Sequence, residues 1–216
     1  MFNPGISFKE QIALLGQRLQ GDLPGINAHL DMAPASRLAP DALTIEDKPC
    51  RKAAVMAILF PMANTTCVLL TKRRENLKKH AGQISFPGGK QEKDETLIQT
   101  ALRETEEEIG LRSNEIELIG SLSPIYINVS NFCVYPFVGT LPDHPTELKP
   151  QDTEVERILK VPLQTLADPA IEKRENWMIN GTELTVPYYD YDGETIWGAT
   201  AMMLAELLHV VKGTVR

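Results

Sequence analysis

The stretch Arg103-Glu104-Thr105-Glu106-Glu107-Glu108-Ile109-Gly110-Leu111 constrains this chain most, because it places four carboxylates within five residues. Its surroundings predict a helix over residues 95–109, with Asp94 capping the start and Gly110 ending it. At about 100° per residue, Ile98, Ala101, Leu102, Thr105 and Ile109 form an apolar stripe that needs a partner layer. Glu104, Glu107 and Glu108 fall on another face through i, i+3 and i+4 spacing, and Glu106 points elsewhere. Such a helix packs by one side and presents acids from another.

A purely structural helix gains little from this arrangement, since negative charge near a helix C-terminus opposes the macrodipole. Three converging carboxylates repel one another unless a cation sits among them, and hard divalent ions take oxygen ligands of this kind. Magnesium binds through a few carboxylates while phosphate oxygens and water complete its octahedron, which polarises a phosphoryl group and activates water. The expected chemistry is therefore phosphoryl hydrolysis.

Just upstream stands Phe86-Pro87-Gly88-Gly89-Lys90, where successive glycines let the backbone approach a metal or phosphate closely. The interval is fixed: Gly89, five residues, Glu95, seven residues, then Arg103-Glu104. Upstream again, Lys72, Arg73, Arg74, Lys78, Lys79 and His80 concentrate positive charge in a chain whose net charge is −7 and pI about 5.2. That acidity excludes a general nucleic-acid binder, which needs a broad basic surface. An anionic ligand must be met by a local basic segment such as this one.

The Gly, Glu, Arg-Glu, Glu-Glu and Gly spacing closely resembles the signature of the Nudix hydrolase family, with Thr105 standing where an aliphatic residue is usual. The resemblance implies an α+β fold, a Nudix-like α/β/α sandwich with a mixed β-sheet flanked by helices. It implies that Glu104, Glu107 and Glu108 are catalytic and metal-site residues, that Gly88 lends a carbonyl, and that Glu95 and Arg103 form a structural ion pair. The implied cofactor is Mg2+ or Mn2+. One of these glutamates, or Glu154 or Glu156 farther along, is the candidate base toward water.

Leu69-Leu70-Thr71, Arg73, Gly82 and Phe86-Pro87-Gly88-Gly89 further resemble the added motif of the coenzyme A diphosphatase branch. Arg74 stands where a small residue is usual, and Lys78 where a second arginine is usual. Lysine keeps the charge there but not the bidentate fork. Arg73, Lys78, Gly88 and Gly89 are the expected substrate-binding residues. The implied reaction converts coenzyme A or its thioesters to adenosine 3′,5′-bisphosphate and (acyl-)4′-phosphopantetheine. Two other readings stand beside it: a Nudix hydrolase of ADP-ribose, a dinucleoside polyphosphate or an oxidised nucleoside triphosphate, and a Nudix-fold module that binds a nucleotide without cutting it. Trp197 and Tyr135 are aromatic residues able to stack on an adenine, although runs like theirs are more often core.

Along the 216 residues, apolar spacing predicts a helix from about residue 7 to 19, followed by an irregular Pro-rich extension to residue 50. The expected division is thus an extension, 1–50, and a hydrolase domain, 51–216. Apolar runs at 53–60 and 66–71 predict paired strands, 116–122 and 132–138 two more strands, and 199–211 a packed helix. The segment 161–166 begins as a turn. Interspersed strands and helices without regular alternation favour a mixed sheet. Cys50, Cys67 and Cys133 form no metal-binding pattern and are expected to be reduced thiols. No secretion signal or run of roughly 18 apolar residues is present, so no membrane partner is expected, and the acidity leaves nucleic acid out as well. The expected protein is cytoplasmic, acts on a small nucleotide-like diphosphate, and has a homodimer among its expected assemblies.

Overall fold

The computed structural model describes residues 6–77, 80–179 and 181–213. Helices α1 (Phe8–Leu19) and α2 (Ile26–Asp31) lead into strands β1 (Arg51–Met62), β2 (Thr65–Arg73), β3 (Ile84–Ser85) and β4 (Gly88–Lys90), then helix α3 (Leu97–Ile109). Strands β5 (Glu117–Ser121), β6 (Ile125–Ile127), β7 (Phe132–Thr140) and β8 (Val155–Pro162) follow, with the single turn α4 (Leu163–Leu166). Strands β9 (Glu172–Ile179), β10 (Thr182–Tyr191) and β11 (Glu194–Trp197) precede α5 (Gly198–Lys212).

The main sheet runs β3-β2-β1-β7-β5, with β4 against β1, β6 against β7 and β8 against β2. Strand β1 pairs parallel with β7 and antiparallel with β2, which makes the sheet mixed. The β1–β2 hairpin turns through Ala63 (φ 48°) and Asn64 (φ 63°), two left-handed residues matching the twist of a two-residue hairpin loop. Its central strand reads as an unbroken apolar run because both faces are covered. Ala54, Met56, Ile58 and Phe60 point toward Ala101 and Ile109 of α3, whereas Ala57 and Leu59 point toward residues of α1 and α5. Helices thus flank both faces of the sheet, the arrangement the α+β expectation described. Strands β9, β10 and β11 form a second, antiparallel sheet.

Helix α1 matches its expected span and is closed by a reciprocal cap between Ser7 and Glu10. Three expectations are corrected. Helix α3 begins at Leu97 with Thr96 and Gln99 as its capping pair, while Asp94 adopts φ 68° in the preceding turn. The Thr96 hydroxyl accepts from the Gln99 amide, and the Gln99 side chain closes the cap by accepting from Thr96 N–H. Glu95 consequently lies before the helix. The extension, expected to be irregular, contains α2 and short 3₁₀ turns at Ala35–Arg37 and Pro40–Ala42, elements too brief to leave a periodic pattern. Finally, Cys50 and Cys133 form a disulfide with Cα atoms 5.7 Å apart, diagonally across the start of the parallel β1–β7 pairing, where Arg51 lies opposite Phe132 and Lys52 opposite Cys133. Cys67 alone is free, buried in the sheet.

Candidate active site

Strand β4 carries the glycine loop onto β1, pairing Val55 with Gly88 and Ala54 with Gly89, while Met56 N–H donates to Pro87 O at 2.9 Å. Gly88 has φ 153°, and a Cβ there would lie 2.6 Å from Val55 Cα. A Cβ on Gly89 would lie 2.5 Å from Glu104 Oε1 and 2.6 Å from Oε2. At Gly88 only glycine fits the loop against the β1 backbone, and at Gly89 the missing side chain leaves room for the Glu104 carboxylate.

Arg103 organises the near side. Its Nε and Nη2 donate to Glu95 Oε2 and Oε1 at 3.1 and 3.0 Å, a bidentate pair across the loop–helix junction. Its Nη1 donates to Glu104 Oε1 at 2.9 Å and Glu107 Oε2 at 3.1 Å. Arg103 beside it, with amide and hydroxyl donors from Glu92 and Thr100, holds Glu95 down to a pKa of about 2.

Glu108 occupies the opposite condition. It is 3% exposed, and its Oε2 has no hydrogen-bond partner among the described residues. Burial pushes its pKa up to about 8 against the nearby Arg73, and the Glu104 carboxylate adds to the rise; the Gly88 amide donates to Glu108 and pulls the other way. Burial also raises Glu104. Arg73, at the end of β2, lies 3.8 Å from Glu108 Oε1 and 3.5 Å from Glu154 Oε2, between two acids. Glu156 instead faces Lys72 at 3.6 Å.

The structure therefore brings Glu104, Glu108, Arg73, Gly88 and Gly89 together, with Glu154 at the edge. Glu107 shares the helix face but is about half exposed and turned to Arg103. Among the described residues, no three His, Cys, Asp or Glu side chains form a metal cage by themselves. A magnesium-type site does not require one, since one or two carboxylates with substrate phosphates and water suffice. The unsatisfied buried oxygen of Glu108, the raised Glu104 beside it and the side-chain-free loop fit a hard cation. Lys78 lies outside the described residues.

Beside this cluster opens a cleft of about 280 Å³. Its rim carries Gly88, Gly89, Arg73 and His80, and its wall Val129, Phe132, Val134 and Trp197. Tyr135, next to Val134 on β7, falls on the opposite face of the sheet, so only one of the two candidate stacking aromatics borders the cleft. One further lining residue, Arg37, comes from the 3₁₀ turn of the extension. A lone arginine between prolines carries no spacing signal, and nothing in the sequence marked it.

The NUDIX domain profile matches residues 51–180. The chain belongs to the Nudix family. It is 35% identical over 161 residues to NudL of Yersinia enterocolitica, described as an uncharacterized Nudix hydrolase, spanning 72% of this chain and 80% of that one. To NudL of Photorhabdus laumondii it is 32% identical over 177 residues, covering 82% and 92%. The Nudix hydrolase RenU from M. smegmatis aligns with a TM-score of 0.47 at 21% identity, over 55% of this chain and 74% of that one. The protein is accordingly a hydrolase of diphosphate-containing, nucleotide-like substrates, from a family that requires divalent metal ions. Among the described residues, no helix is long and apolar enough to cross a membrane.

Proposed function

We propose that this Nudix enzyme hydrolyses the diphosphate bridge of coenzyme A or its thioesters, giving adenosine 3′,5′-bisphosphate and (acyl-)4′-phosphopantetheine. One observation carries the reading: Arg73 of the added motif and Gly88-Gly89 of the glycine loop border the same cleft, with Arg73 3.8 Å from Glu108. In this reading residues 51–216 are the catalytic domain and residues 1–50 an extension built against it. Its placement in the cytoplasm and its assembly as a homodimer belong to the same proposal.

Glu104 and Glu108, with Glu107 and the Gly88 carbonyl, are the residues proposed to hold Mg2+ or Mn2+. When bound, the ion supplies charge neutralisation at the phosphoryl oxygens and a more acidic water. Arg73 and Lys78 bind the diphosphate oxygens, and Gly88 and Gly89 keep side chains out of their way. Arg103 holds Glu104 in place and is itself fixed by Glu95. Glu154, whose charge raises both Glu104 and Glu108, is the outside carboxylate best placed to take a proton from water. The apolar wall with Trp197 excludes water and receives the adenine.

The test is mass spectrometry of products after incubation with coenzyme A and magnesium or manganese. The two expected products fix both reaction and cleavage position, and faster turnover of ADP-ribose than of coenzyme A would overturn the substrate reading.

A further inference from the structure

Three basic residues border the cleft: Arg73, His80 and Arg37. Two are already engaged. Arg73 stands between Glu108 and Glu154, and His80 Nδ1 lies 2.8 Å from Gln83 Oε1. Arg37 differs, since its guanidinium has no hydrogen bond or ion pair among the described residues and is nonetheless partly buried. Burial alone lowers its pKa. Removing a guanidinium from water without a counter-charge is unfavourable, so an anion that enters the cleft gains more from Arg37 than from a solvated surface arginine.

The location of Arg37 narrows what that anion is. The diphosphate bridge belongs at the glycine loop, beside Glu108 and Arg73. Arg37 reaches the cleft from the extension, on a turn whose backbone is closed by Arg37 N–H donating to Pro34 O at 2.8 Å. Just upstream, α2 is pinned to the domain by His29, whose Nε2 lies 2.9 Å from the buried Glu206 of α5. The turn is therefore tethered to the body of the protein. A substrate of the proposed class carries a third phosphate, a monoester on the ribose, separate from the bridge.

We propose that Arg37, supplied by the N-terminal extension, binds a phosphate monoester of the substrate distinct from the diphosphate bridge, so that the extension forms a wall of the substrate site. The planar guanidinium fits a phosphate with two parallel N–H···O bonds. Arg37 touches substrate in this assignment but takes no part in breaking the bridge. The assignment rests on the substrate reading above for the identity of the phosphate, and on the cleft geometry for its position.

The test is isothermal titration of the full chain, in magnesium buffer, with adenosine 3′,5′-bisphosphate and with adenosine 5′-monophosphate. Wild type is expected to bind the bisphosphate roughly tenfold more tightly, the size of one good charge-assisted contact. In Arg37→Ala the two affinities converge to within about twofold, and Arg37→Lys retains part of the preference. Arg37→Gln repeats the measurement if the alanine variant melts early. A wild type without preference, or an Arg37→Ala protein that keeps it, overturns the assignment. A wild type that leaves coenzyme A intact but shows the Arg37-dependent preference overturns the substrate reading and sustains this one.

Discussion

Replacing Glu206 with leucine is expected to be among the most destabilising single changes outside the site. Glu206 is fully buried in α5 and accepts hydrogen bonds from Gly25 N at 3.1 Å and Ser123 N at 3.2 and 3.1 Å, with His29 Nε2 at 2.9 Å. Leucine fills much of the volume but strands two backbone amides and an imidazole nitrogen in the interior. At about 1–3 kcal/mol for each abandoned partner, offset by relaxation and water entry, the loss is about 4 kcal/mol, within the range of about 3–5 for a broken buried pair. With a urea m-value of about 2–3 kcal/mol/M, the unfolding midpoint falls by roughly 1.3–2 M. Glu206→Gln keeps one acceptor oxygen and loses less. Urea titration followed by far-ultraviolet circular dichroism gives the midpoints. A double-mutant cycle with His29→Leu is expected to show coupling above about 1 kcal/mol. A leucine variant within about 1 kcal/mol of wild type, or purely additive effects, would refute the claim that this acid anchors the extension.

The remaining predictions concern the site and its surroundings. Glu104→Gln and Glu108→Gln are each expected to lower kcat by roughly a hundredfold or more while leaving the metal-free melting temperature unchanged or higher, since burial opposes the charged form of each carboxyl; retained turnover in both sinks the proposed metal site. Glu95 has its folded pKa depressed to about 2 from 4.5, so its stabilisation is complete above about pH 4.5 and disappears as pH falls through 2. Glu95→Gln should flatten that acid limb of the stability curve, and an unchanged limb would show that Arg103 does not hold Glu95. The Cys50–Cys133 bond closes a separation of 83 residues, for which loop entropy gives about 4.5 kcal/mol. Cys50→Ser is expected to lower the urea midpoint accordingly, and equal midpoints for wild type with and without reductant would contradict it.

What the sequence disclosed was governed by locality. Helix α3 was readable because its stripe, its acids and Gly110, which ends it at φ 73°, all lie within one short window. The capping pair Thr96 and Gln99 was equally local, yet the charge of Asp94 drew the expected start two residues early. Strands β9 and β10 escaped because β9 is largely exposed and opens with Glu172, Lys173, Arg174 and Glu175, leaving no alternation to detect. The tight hairpin from β10 to β11 turns through Asp192-Gly193, both left-handed, a local signal that the sequence expectations passed over. At the site, the sequence showed which residues share a helix face but not that Arg103 would draw Glu107 aside. Nor could it show Arg73 between Glu108 and Glu154, or join Cys50 to Cys133 across a parallel pairing. Arg37 and Glu206 were silent for the same reason, since each acquires meaning only from residues far away in the chain.

The link between His29 and Glu206 spans 177 residues, which gives it a temporal side. At about 5–20 residues per second of synthesis, roughly 9–35 s elapse between the appearance of the imidazole and of the carboxylate that receives it. Throughout that interval the Gly25 amide and the His29 imidazole lack the carboxylate that receives them. The anchoring of α2 is therefore among the last contacts the nascent chain can make, since it waits for α5 to emerge.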